Sequence, residues 1–165
     1  MVETKNGLYI ISTPIGNLED ITLRALSVLK NANIIVCENP KHSIKLLNKF
    51  GIKKKLFSLH DYDEANTIKK LEKHSNNSVI ALISDAGSPL ISDPGFKLVK
   101  HFINKKSYIT SVPGPSSVIA SLQLSGLENN NFLFYGFVPK RSNLIKTLIE
   151  KFITSEQTGV FFYFW

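Results

Sequence analysis

The chain has 165 residues, 43% of them apolar and only seven of them proline, which excludes a disordered polypeptide and suffices for a buried core. Its single cysteine, Cys37, excludes an intramolecular disulfide and a cysteine-rich zinc site, and fits a reduced, cytoplasmic setting. The net charge of +7 invites an anionic partner, but eighteen of the twenty basic residues are lysine, which makes poorer bidentate phosphate contacts than arginine; the charge supports a nucleic-acid reading without deciding it.

The opening MVETKNG lacks the apolar core of a secretory signal. Runs such as VIALI fall far short of the ~20 residues a membrane span needs, so a soluble protein without membrane association is expected. Short apolar runs predict strands over residues 8–13, 33–37, 56–59, 79–84 and 108–112, and amphipathic patterns predict helices over 21–31, 43–50, 64–74, 95–104 and 116–124. Asp20 and Asp63 stand where N-caps are expected. The alternation predicts an α/β fold, a mainly parallel five-stranded sheet flanked by helices through right-handed βαβ units. After Leu127 the composition turns polar at residues 128–131, then predicts a strand over 132–138, a turn at Pro139, a helix over 143–154 and a strand over 159–165. Two strands and a helix are too few to bury a core alone, so this is read as the start of a second, incomplete α/β domain. The expected division is residues 1–117, an α/β domain, and 118–165, a linking helix with the incomplete domain. Phe161, Phe162, Phe164 and Trp165 have no partner elements downstream, and self-association through this tail, with little activity, is expected.

The chemically unusual residues cluster after the strands, at 13–20, 38–43, 60–63, 84–95 and 112–117. In a parallel sheet these loops share the carboxyl rim, where open α/β sheets bind ligands. No G-x-G-x-x-G or G-x-x-x-x-G-K-[ST] pattern is present, no G-x-S-x-G elbow marks a nucleophile, and His42, His60, His74 and His101 form no metal-ligand spacing. A ligand held by backbone groups and a few carboxylates remains, and S-adenosylmethionine, cationic and without phosphate, fits that description. The loop 84–95 is the most specified, because two prolines fix φ and two glycines permit positive φ; the alternative is a rigid turn with Asp93 capping the next helix. Ser116 has a capping alternative of its own.

TPIGNLEDITLRAL, SDAGSPLISDPG, VPGPSS and FLFYGFVPKR occur in this order. Together they resemble the motifs of the rRNA small subunit methyltransferase I group of the tetrapyrrole-methylase superfamily, over nearly the whole chain. The resemblance implies two α/β domains with S-adenosylmethionine in the cleft between them. It also implies 2'-O-methylation of a cytidine ribose in 16S rRNA of the small ribosomal subunit, usually by a homodimer. By position, Pro14 and Gly16 belong to the first cleft loop, Asp85, Ala86, Gly87 and Ile91 to the cofactor loop, Ser116 and Ser117 to the loop under the amino-acid part of the cofactor, and Val138 and Pro139 to the second domain. Lys41, His42, Lys140 and Arg141 are the expected RNA contacts.

The sequence departs from the group where the pattern Glu-Asp-Thr-Arg-His-Thr becomes Glu38-Asn39-Pro40-Lys41-His42-Ser43, losing a carboxylate and exchanging arginine for lysine. The group also continues beyond a Phe-Tyr-Glu-Ser-Pro stretch, where this chain reads Phe162-Tyr163-Phe164-Trp165. Glu38, Asp85, His42 and His60 are rim groups able to accept the ribose hydroxyl proton, each with a loop hydrogen bond as its alternative role. Glu38 is preferred because a carboxylate at a strand end can face the cleft. Two rival readings stand beside this one: a sibling that methylates a small tetrapyrrole, and a non-catalytic fragment that binds cofactor, RNA or a partner.

Overall fold

A computed structural model of the chain describes residues 4–60, 62–73, 77–155 and 157–163. The chain divides into two compact units, Met1–Ser116 and Ser117–Trp165. The first contains β1 (Gly7–Ile11), α1 (Leu23–Asn31), β2 (Ile34–Cys37), α2 (Pro40–Lys49), β3 (Lys55–Ser58), α3 (Glu64–Glu72), β4 (Val79–Ile83), α4 (Phe96–Asn104) and β5 (Ile109–Val112). All strand pairs in its sheet are parallel, in the order β3-β2-β4-β1-β5.

Strand alternation divides the core into two layers. Tyr9, Ile11, Ile35, Cys37, Ala81 and Ile83 face Ala25, Val28 and Leu29 of α1 and Leu46 and Leu47 of α2. Their sequence neighbours Leu8, Ile34, Val36, Ile80 and Leu82 face Leu71 of α3 and Leu98 and Phe102 of α4. β4, VIALI, is buried at every position, the pattern of a central strand covered on both faces.

Helix starts differ from the sequence expectation in three places. Asp20 does not cap α1; it ends a 3-10 turn, Leu18–Asp20, with its N–H on the Asn17 carbonyl, and Thr22 caps the helix by accepting from Ala25 N at 3.0 Å. Asp63 sits at the N-cap of α3 but makes no side-chain cap, because its Oδ1 accepts from Asn66 Nδ2 at 2.6 Å. α2 begins at Pro40 instead of Ser43: Asn39 Oδ1 accepts from Lys41 N and His42 N at 3.1 and 3.4 Å, and proline suits the first helical position because its missing N–H would have no partner there. The expected end of α3 at His74 lies outside the described residues.

The second unit contains α5 (Ser117–Ser125), β6 (Phe132–Phe137), α6 (Ser142–Ser155) and β7 (Thr158–Phe162), with β6 and β7 parallel and α6 as their crossover. The register shifts between Phe134 and Phe137, where Gly136 takes φ +71°. Phe162 packs edge-on against Phe134 at 5.1 Å and against Phe137 at 5.2 Å, and Phe152 meets Tyr135 at 4.6 Å and Phe161 at 5.7 Å. Phe161 and Phe162 thus meet their ring partners upstream, through the βαβ crossover. Phe164 and Trp165 lie outside the described residues. Among the described residues no helix is long and apolar enough to cross a membrane.

Candidate functional site

The two core layers fix where a crevice opens. The chain leaves β1 and β2 toward the α1/α2 face and leaves β4 toward the opposite, α3/α4 face. Since β4 lies between β2 and β1, its loop, 84–95, emerges between two neighbours that turn away from it. Such a reversal creates a ligand crevice outside the carboxyl ends of the strands.

Hydrogen bonds tie the rim loops together. Thr13 and Gly87 exchange backbone bonds, Thr13 N to Gly87 O at 2.9 Å and Gly87 N to Thr13 O at 3.0 Å, an antiparallel bridge outside the sheet. The buried Thr13 hydroxyl donates to Ser84 O at 3.2 Å, and the Ser84 hydroxyl donates to Gly87 O at 3.2 Å. Ser12 and Ser88 share a 2.9 Å hydroxyl contact, and Ser88 reaches Pro115 O in the loop after β5 at 3.4 Å. On the other side, Asn39 N donates to Asp85 Oδ1 at 3.2 Å. The β4 loop is thus bonded to the loops after β1, β2 and β5.

Its backbone is strongly constrained. Gly87 has φ +77°, and a Cβ there would lie 3.3 Å from Ile15 Cγ2. Leu90 and Ser92 take φ +75° and +66°, conformations that cost a non-glycine residue ~1–3 kcal/mol and persist where the surroundings impose them. The far end is held by a residue the sequence reading did not single out. Glu64, 3% exposed, accepts from Gly95 N at 2.6 Å and Lys97 N at 3.1 Å, so a carboxylate from α3 caps α4. The N-cap residue of α4 is Gly95. An acidic residue in a first turn reads locally as a dipole partner; only the pairing of two helix starts gives it this role.

The expected site residues fall into two groups. In the first unit, Pro14 and Gly87 are buried, Asp85 and Ser116 half-buried, and Ala86 exposed; Pro14, Asp85, Ala86 and Gly87 lie on or beside the bonds just described. Gly16 has open space around it, and Ile91 is exposed. Glu38 is half-buried at the end of β2, and Lys41 and His42 are exposed in the first turn of α2. Ser117, Val138, Pro139, Lys140 and Arg141 belong to the second unit. There Val138 N donates to Phe162 O at 2.8 Å, and the Arg141 carbonyl accepts from Leu144 N and Ile145 N at the start of α6.

The charge is distributed unevenly. Loops 13–20, 84–95 and 112–117 contain Glu19, Asp20, Asp85 and Asp93 and neither lysine nor arginine, in a chain of net charge +7. That chemistry disfavours a phosphate group and suits a cationic ligand approached by main-chain dipoles. Beneath it, burial pushes the Cys37 thiol up; the Ser43 hydroxyl opposes the shift and the Asp85 charge adds to it.

Residues 7–164 match the model of the Tetrapyrrole (Corrin/Porphyrin) Methylases. Ribosomal RNA small subunit methyltransferase I of Rickettsia prowazekii (strain Madrid E) is 51% identical over 161 residues, which are 96% of this chain and 57% of that relative. The chain thus spans little more than half the length of this relative. Among solved structures, a diphthine synthase superposes with TM-score 0.71 at 20% identity, over 95% of this chain and 63% of that one. A uroporphyrin-III C-methyltransferase from Thermus thermophilus, complexed with S-adenyl homocysteine, superposes with TM-score 0.56 at 18% identity, over 81% of this chain and 57% of that one. With the strand order and a family match running almost from end to end, this chain belongs to the tetrapyrrole methylase family.

Proposed function

We propose that the chain supplies the S-adenosylmethionine-binding rim of an enzyme that methylates the 2'-hydroxyl of a cytidine in 16S rRNA of the small ribosomal subunit. The supporting observation is the 51% identity, over nearly all of this chain, to a relative named for small-subunit rRNA methylation. The acidic, phosphate-averse rim built around the Thr13–Gly87 bridge fits the cofactor on chemical grounds.

When bound, the cofactor supplies a methyl group on a sulfonium. Pro14, Gly16, Asp85, Ala86, Gly87 and Ile91 are assigned to its binding in the first unit, with Ser116 at that unit's end. Ser117, Val138 and Pro139 are assigned to it in the second. The rim's contribution is positioning, because displacement at a methyl carbon needs the acceptor oxygen held in line. Glu38, half-buried one residue before the amide that binds Asp85, is our assignment for the proton acceptor. Lys41, His42, Lys140 and Arg141 are assigned to RNA, and a homodimer in the cytoplasm completes the reading.

The test has two arms. Calorimetry should detect S-adenosylmethionine binding to the chain and its loss in Gly87→Val, with the circular dichroism spectrum retained; undiminished binding in that variant refutes the site. Transfer of labelled methyl groups to unmodified small subunits, beside a free tetrapyrrole, identifies the substrate. Labelling of the tetrapyrrole alone refutes the RNA reading, and cofactor binding without transfer to either makes this chain a non-catalytic fragment.

A further inference from the structure

The carboxyl rim carries a second chemical feature away from the crevice. After β3, the rings of His60 and Tyr62 stack 5.3 Å apart with their planes 9° from parallel. Tyr62 is 88% exposed, so the imidazole supports a tyrosine that otherwise meets solvent. At the start of α4, Phe96 is 70% exposed, and Lys100 Nζ lies 6.0 Å from its ring centroid.

The Glu64 bonds bring these two places together. Glu64 stands two residues after Tyr62, and its carboxylate holds the backbone amides on either side of Phe96, those of Gly95 and Lys97. β3 also pairs with β2, and Leu59 N donates to Cys37 O at 2.8 Å, which sets the first turn of α2, with exposed Lys41 and His42, alongside. Exposed aromatic faces and cations therefore share one rim, with Asp63 beside Tyr62. Strand spacing places the end of β3 ~10 Å from the end of β4, where the crevice opens.

A single exposed aromatic residue is unremarkable. A supported ring pair, a second exposed ring and flanking lysines are what an unpaired nucleic-acid strand requires: π-surfaces for bases and cations for phosphates. A duplex buries its base faces in its own stack and cannot use the rings. We propose that His60, Tyr62 and Phe96 form a platform on which unpaired bases of the RNA substrate stack, with Lys41, Lys97 and Lys100 meeting its phosphates. This rests on the reading of the chain as part of an RNA methyltransferase.

The test is fluorescence anisotropy of the full chain with a short, unstructured, labelled RNA and with a duplex of the same sequence. Tyr62→Ala should weaken single-strand binding roughly tenfold or more, the scale of one lost base stack. It should leave duplex binding and the salt slope unchanged, and Tyr62→Phe should bind like the parent. Lys97→Gln/Lys100→Gln should flatten the single-strand salt slope by roughly 0.7 per charge. Failure of the parent to bind single-stranded RNA, an unaffected Tyr62→Ala, or an equal loss in Tyr62→Phe would overturn the platform. Calorimetry of S-adenosylmethionine with the same preparations separates the two ideas: cofactor binding does not depend on Tyr62, so its absence beside a ring-dependent RNA affinity sinks only the methyltransferase reading.

Discussion

Replacing Glu64 by glutamine probes the joint between α3 and the β4 loop without changing side-chain volume. In the parent, both carboxylate oxygens are committed, one to Gly95 N at 2.6 Å and one to Lys97 N at 3.1 Å. Glutamine keeps one acceptor and turns an amide donor toward the other N–H. One charge-assisted bond, ~1.5–3 kcal/mol, is lost, and a buried donor is left facing a donor. The favourable carboxylate at the start of α4 disappears as well, ~0.3–1 kcal/mol. The expected destabilisation of the first unit is ~2–4 kcal/mol, a large share of the ~5–15 kcal/mol typical of a domain. Urea unfolding is followed by far-ultraviolet circular dichroism. Amide exchange at Gly95 and Lys97 supplies the local reading, and both amides should lose protection. A shift below ~0.5 kcal/mol with protected amides would refute the reasoning, because it would mean that the loop holds the helix start without the carboxylate.

Four further expectations follow from other contacts. Lys41→Glu/Arg141→Glu should reduce RNA affinity and its salt dependence more than Lys105→Glu/Lys106→Glu does, since Lys105 is already engaged by Glu72 at 2.9 Å; equal losses would reduce the effect to net charge. Cys37, fully buried with its thiol pushed up, should resist alkylation in the native chain and react in urea. Its contribution to stability is complete below the unfolded thiol value of ~8.5 and is lost as pH rises through the higher folded value, so Cys37→Ala should flatten the alkaline limb of a stability–pH profile. Gly159→Val should disorder the second unit alone, because a Cβ at Gly159 would overlap the Phe152 ring; native exchange throughout residues 132–162 in that variant would contradict the packing.

The strands were legible because their signal is local. VIALI and NIIVC are too short for helices and too apolar for loops, and alternation with amphipathic stretches leaves few topologies for the chain. The clustering of unusual residues at 13–20 and 84–95 was readable for the same reason, since a parallel sheet sends every such loop to one rim. The bonds between those loops were not readable. Thr13 and Gly87 lie 74 residues apart, and nothing in either motif announces an antiparallel bridge. Glu64 escaped because its role depends on the separation of two helix starts in space. The early start of α2 was within reach: Asn-Pro is a cap followed by a first helical residue, a signal outweighed by the apolar periodicity that begins at Ser43.

The Asn39 cap has an implication for how such a rim can vary. The capping atom is the side-chain oxygen, which an aspartate at the same position would present equally, while the bond to Asp85 uses the backbone amide and is indifferent to the side chain. The chain can therefore exchange a carboxylate for a neutral amide at the mouth of the crevice and leave every backbone atom in place. Local potential and local geometry are independent variables at this position, so one substitution can retune the attraction of an approaching polyanion without disturbing the bed in which a second ligand lies.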